Sequence, residues 1–150
     1  MVHALDGLAE TIRSAPGWRS KAHIAAVRAV FGPSDWRRGP GDDGALVTVG
    51  GEDMVACGEA ILPAFVERDP YGAGIAAVLT NVNDVAAMGA LPVAIVDTFV
   101  GPAETCRAVL DGLRFASELY DVPVVGGHLT NSADRVALSA FALGRCPGPA

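Results

Sequence analysis

A chain of 150 residues with 51% hydrophobic and 19% charged side chains is long enough to bury a sizeable core, and its apolar fraction is high for a monomer. The formal net charge of −6 offers no electrostatic footprint for a nucleic-acid backbone or an anionic membrane, so phosphates must be met through backbone amides or bound cations. Three cysteines, Cys57, Cys106 and Cys146, lie far apart without a CxxC pair, and MVHALDGLAETIR has charges where a signal peptide needs an apolar core. Reduced thiols in a cytoplasm are expected. The longest uncharged run, residues 70–83, is too short and Gly-rich for a membrane span.

In chain order, His3 to Ser14 sets Leu5, Leu8 and Ile12 at helical spacing. Ala15-Pro16-Gly17 breaks this pattern, and Arg19 to Phe31 resumes it with Ile24, Val27 and Val30. GPSDWRRGPGDDG, Gly32 to Gly44, is a loop by composition. ALVTV and DMVAC flank Gly50-Gly51-Glu52 and predict a tight β-hairpin. After a short connection, Asp69-Pro70 supplies an N-cap and a proline at the first helical position for a long helix ending near Gly89. Leu91 to Val100 is nearly all apolar, a strand expected to be covered on both faces.

Ala103 to Tyr120 reads as an amphipathic helix with Cys106, Val109, Leu110, Leu113 and Ala116 inward. Its outer face pairs Arg107 with Asp111 and Arg114 with Glu118 at i,i+4. Val122 to Val125 is a short buried strand, residues 126–134 a loop, and Arg135 to Arg145 a final strand. The order predicts an α+β fold, a mixed four- to five-stranded sheet with helices packed mainly on one face. CPGPA, at the end, has linker composition.

Four features can carry chemistry. Asp84 is the single charged side chain between Pro70 and Leu91, and on a helical wheel it lies opposite the stripe Ile75, Val78, Leu79, Val82 and Ala86. It is flanked there by Ala73, Ala77 and Met88, with Asn81 one turn away. The residues alone leave two readings open: an acceptor for a neighbouring loop amide, or a metal ligand, since a buried carboxylate needs a cation or several donors. Asp42-Asp43, between glycines, is an ordinary turn or a hard-oxygen pair suited to Mg²⁺. Gly126-Gly127-His128 after a strand is a turn or a place where backbone amides reach a ligand, with Thr130 and Asn131 as further donors. Glu59 breaks the apolar alternation at the end of the second strand, as a surface residue or an added acid. His3 and His23 form no cluster with His128, which argues against a zinc site.

The order GDDG, hairpin, acid, NVNDVAAMGALP, strand, helix and VPVVGGH resembles the N-terminal domain of the AIR synthase (PurM-type) superfamily from about Gly41 to Gly144. That group includes aminoimidazole ribonucleotide synthetase, thiamine-monophosphate kinase, selenophosphate synthetase and a hydrogenase maturation protein. The opening DPYGAG and the GGH ending are most similar to its AIR synthase-related branch. The resemblance implies a domain that binds ATP with Mg²⁺ and forms a homodimer by pairing sheets into a shared barrel. It implies Asp42, Asp43 and Asp84 as magnesium ligands. Asp43, Asn81, Asp84 and Gly126, Gly127 and His128 are implied nucleotide contacts, and Glu59 stands where many members have Asp. His128 replaces the metal-binding Asp of the kinase branch, so metal ligation there is not carried over.

The expected organisation is one domain over residues 1–150, with a helical segment at 1–40 and a core at 41–146. The family's second domain, which completes the substrate site, is expected to be absent. The leading expectation is a Mg·ATP-binding domain of an enzyme that phosphorylates or activates a small molecule. The alternatives are a dimerisation module without turnover and a small-molecule-binding regulatory domain. Lys21 and Arg38 are treated as surface residues.

Overall fold

The computed structural model describes residues 2–32 and 42–148, and the chain divides into two compact units, Met1–Gly41 and Asp42–Ala150. In the first unit, α1 (Val2–Ser14), α2 (Pro16–Ser20) and a 3-10 turn (Lys21–His23) lead into α3 (Ile24–Phe31). The expected break is a single residue wide: Ala15 is extended, and Pro16 opens α2, where its missing N–H is harmless. Leu5, Leu8 and Ile12 do form a stripe along α1, yet each is at least half exposed. Lys21 is exposed, and Arg38 lies outside the described residues.

The second unit begins with the predicted hairpin, β1 (Ala45–Val49) and β2 (Glu52–Ile61), turned by Gly50 and Gly51 at φ of 61° and 89°. α4 (Pro63–Arg68) occupies what the sequence presents as a plain connection. α5 (Pro70–Ala87) follows, and the Asp69 carboxylate accepts from the Gly72 amide at 2.9 Å. β3 (Leu91–Gly101), α6 (Ala103–Tyr120), β4 (Val124–Asn131) and β5 (Ala137–Arg145) complete the chain.

The five strands form one mixed sheet in the order β1-β2-β5-β3-β4. Only β3 and β4 are parallel, and α6 makes the crossover between them. Val55, Ile95, Phe99, Leu138 and Ala142 on one face meet Ala77, Val78 and Val85 of α5 and Val109 and Leu113 of α6 in the core. Along β3, Ile95, Asp97 and Phe99 are buried while Val93, Val96 and Thr98 are exposed. Among the described residues of this unit β3 is therefore covered on one face, not two. Phe141 and Leu143 of β5 and Val125 of β4 are exposed with Val96, so the uncovered face is strongly apolar.

α5 also turns a different side to the sheet than its large residues suggest. Its buried residues are Ala73, Gly74, Ala77, Val78, Asn81 and Val85, whereas Ile75, Leu79 and Val82 are only half-buried. Small residues win because α5 lies very close to α6. A Cβ on Gly74 would strike the Val109 carbonyl, and one on Gly112 the Tyr71 carbonyl. α6 matches its expected span, with Val109, Leu113 and Ala116 buried and the Arg107–Asp111 and Arg114–Glu118 pairs at 3.3 and 3.5 Å. No described helix is long and apolar enough to cross a membrane.

Candidate functional site

Asn81 and Asp84 come from the last turns of α5, which lies over β2 and β5. Alternation along β2 sends Val55, Cys57, Glu59 and Ile61 towards the helices. Asn81 is fully buried. Its Nδ2 donates to the Ala77 carbonyl at 2.8 Å and to the Ala140 carbonyl of β5 at 3.2 Å, while its Oδ1 accepts from Cys57 Sγ at 3.4 Å. One amide thus ties α5 to two neighbouring strands, and its polar atoms are all engaged within the protein.

One turn further on, Asp84 is half-buried, and Glu59 is exposed at the rim. Their proximity registers on Cys57, whose thiol is pushed up to about 11 by burial first, then by the Asp84 carboxylate and, more weakly, by Glu59. A backbone hydrogen bond at Ala142 opposes the rise. Two carboxylates distant in sequence therefore act on one half-buried thiol.

Asp42 and Asp43 are exposed in the turn before β1, where Asp42 Oδ1 accepts from the Asp43 amide at 3.0 Å. Gly41 lies outside the described residues. The β1–β2 pairing starts at Ala45↔Ala56, and a bend at Asp43 and Gly44 separates Asp42 from it. Among the described residues, no three His, Cys, Asp or Glu side chains converge closely enough to hold a metal ion by themselves. That donor set still fits Mg²⁺, which takes one or two carboxylates and fills its octahedron with phosphate oxygens and water.

Gly126, Gly127 and His128 do not form a loop. They lie within β4, an edge strand, paired with Val96, Asp97 and Thr98 of β3. Glu59, Ala140, Asp97 and Gly127 face one another across four consecutive strands, which separates Gly127 from Glu59 by roughly 14 Å at ordinary ladder spacing. The fold thus sets Asn81, Asp84 and Glu59 around Cys57, while the Gly-Gly-His segment stands apart.

Sequence reasoning missed Asp97. It is 4% exposed, and burial raises its carboxyl above the ordinary carboxylate value against a bond from its own backbone amide. Among the described residues, its Oδ2 is a buried oxygen without a hydrogen-bond partner. The signal was available: Asp97 is the one charged residue in LPVAIVDTFVG, the criterion that singled out Asp84.

Residues 41–146 match the profile described as AIR synthase related protein, N-terminal domain. An uncharacterized protein of Synechocystis sp., sll0787, is 34% identical over 106 residues, covering 70% of this chain and 33% of that protein. Thiamine-monophosphate kinase of Mycobacterium tuberculosis is 33% identical over 132 residues, covering 83% of this chain and 39% of the kinase. The structure of AaThiL complexed with AMPPCP and TMP superposes with a TM-score of 0.70 at 24% identity, covering 81% of this chain and 40% of that one. The matches therefore span well under half the length of these proteins.

Proposed function

Because the chain belongs, through residues 41–146, to the AIR synthase related protein family, we propose that it is a Mg·ATP-binding domain of an ATP-dependent enzyme that phosphorylates or activates a small molecule. The observation that carries this reading is the convergence of Asp84 and Glu59 on Cys57, which gathers negative charge from α5 and β2 into one place. A relative named as a kinase and a structural neighbour complexed with AMPPCP support it.

Asp84 and Glu59, joined by Asp42 and Asp43 from the turn before β1, would hold Mg²⁺. The ion, when bound, neutralises triphosphate charge that an acidic protein cannot offset with its own side chains. Asn81 serves the site from beneath by fixing the turn of α5 that presents Asp84. Gly126, with open space where a Cβ would stand, presents backbone on an edge strand to an approaching phosphate, and His128 adds a donor, while the open side of Gly127 is taken by Asp97. The chain's own contribution is positioning and charge placement, with no group assigned as nucleophile or base.

The uncovered apolar sheet face supports a homodimer in which two such faces pair into a barrel. Isothermal titration of ATP into the full chain, with and without Mg²⁺, tests the nucleotide reading. Binding that requires Mg²⁺ and weakens on Asp84→Asn is expected. Absent or Mg²⁺-independent binding overturns it and leaves the dimerisation module as the better reading.

A further inference from the structure

β4 is a weakly secured strand. It lies at an edge of the sheet with β3 as its ladder partner, and that pairing is the parallel one, which holds slightly less firmly per residue than an antiparallel ladder. Residues 125–131 are all exposed, and Gly126-Gly127 brings no side chain to hold the strand down. Segments with few buried contacts and exposed ladder bonds open locally before a domain unfolds.

Against this strand stands Asp97 of β3, paired with Gly127. The acid is 4% exposed, and its Oδ2 is buried without a hydrogen-bond partner among the described residues. A Cβ on Gly127 would stand 2.5 Å from Asp97 Oδ1, so the carboxyl fills the space that a side chain there would need. Gly127 is itself exposed, so the carboxyl abuts a residue that water already reaches. A buried carboxyl with an unmet oxygen is tolerated far better neutral than ionised, and burial accordingly raises its pKa. Once ionised it gains most from water, and the weakly held cover beside it is β4.

We propose that Asp97 makes β4 a proton-controlled strap, closed over a neutral carboxyl and loosened from β3 when that carboxyl ionises. In the opened strap water meets the carboxyl, and its pKa falls back towards the ordinary value of about 3.9. Rising pH therefore favours opening from about pH 4 upwards, and the effect levels off once the closed form ionises as well. The groups around Asp97 leave the proton to it. Its ladder partners Ala140 and Gly127 and its same-face neighbours Ile95 and Phe99 carry no charge. From α5, Asn81 reaches the Ala140 carbonyl and is an amide. From α6 comes Cys106, whose thiol is raised above its ordinary value by burial and by Asp97, which keeps it neutral through pH 8. Glu59 stands about 10 Å away beyond Ala140, and alternation turns His128 to the opposite face. β4 carries Gly126 and His128, so the same proton sets how firmly those groups are held, but the strap does not depend on the nucleotide reading.

Hydrogen exchange of the full chain, followed by mass spectrometry from pH 4 to 8 and corrected for the intrinsic pH dependence of exchange, tests the strap. Peptides covering β4 should lose protection by up to about tenfold per pH unit above about pH 4 and then level off. At neutral pH they should be at least about tenfold less protected than peptides covering β2 and β5, the mark of a local opening. Asp97→Asn should flatten the β4 profile, and His128→Gln should leave it sloped. The proposal is overturned if β4 protection in the parent is independent of pH, if Asp97→Asn keeps the slope, or if β4 exchanges no faster than β2 and β5 at neutral pH, which would make the opening global. Should Asp97→Asn fail to fold, Asp97→Leu takes its place, and a slope that vanishes with His128→Gln assigns the proton to the imidazole and overturns the proposal.

Discussion

Asn81→Leu tests whether one buried amide holds α5 in place. The parent side chain is fully buried and donates to the carbonyls of Ala77 at 2.8 Å and Ala140 at 3.2 Å. Leucine keeps approximately the volume and removes both of these bonds, together with the weak one accepted from Cys57 Sγ. The Ala77 carbonyl retains its helical partner, the Asn81 backbone amide, so the loss is that of two net hydrogen bonds, about 1 kcal/mol each or about 2 kcal/mol in all. In a domain of roughly 100 residues that lowers Tm by about 8–16 °C. Asn81→Asp is the sharper perturbation: it turns both donor contacts into repulsions and adds a charge beside Asp84, at about 3–5 kcal/mol. Its folded-state pKa must lie above the unfolded value, so the variant should be most stable at acid pH and lose stability as pH rises. Thermal melts by circular dichroism between pH 4 and 8 read both effects. A leucine variant melting within about 2 °C of the parent, or an aspartate variant that tolerates neutral pH as well as leucine does, refutes the clamp.

Three further outcomes are expected. Gly112→Ala drives a methyl into the Tyr71 carbonyl and should destabilise by about 1–3 kcal/mol in denaturant melts, whereas Gly7→Ala in α1, with nothing near the added Cβ, should be neutral or stabilising by up to about 1 kcal/mol. Cys57, raised from 9.0 to about 11, contributes stability that is complete below pH 9 and lost as pH rises through 11, so Cys57→Ala should flatten the alkaline limb of a stability–pH profile. Val96→Glu, on the uncovered face opposite Phe141, should leave the melt of the chain nearly unchanged while converting a dimer to monomer in sedimentation; a variant that stays dimeric removes that face from the interface.

What the sequence disclosed depends on whether the cause of each element was local. α6 was readable to its ends because one face meets water and shows its charges, while Asp69-Pro70 announced α5 through a cap that needs only neighbouring atoms. The face α5 buries was not readable. A helical wheel weights residue size, but the Gly74–Gly112 approach selects the small side, and a contact between residues 38 positions apart leaves no periodic trace. α4 was lost for the opposite reason, being a single short turn whose proline reads equally well as a connection.

The same contrast separates half-buried Asp84 from buried Asp97. Asp84 stood out as one charge in a long apolar run, and its partner Glu59 was found by a break in alternation, although their meeting over Cys57 is a product of the fold. Asp97 satisfied the same criterion but lay in a run that looked like a doubly covered strand, and nothing local contradicted that appearance. Gly126-Gly127 then read as a turn, because glycine pairs usually end strands. In fact the register places Gly127 beside Asp97, and the missing Cβ is the space the carboxylate occupies. The glycine is explained by the acid: a side chain at position 127 would take the space of Asp97 Oδ1, and the cost would fall on a carboxylate whose other oxygen already lacks a hydrogen-bond partner among the described residues.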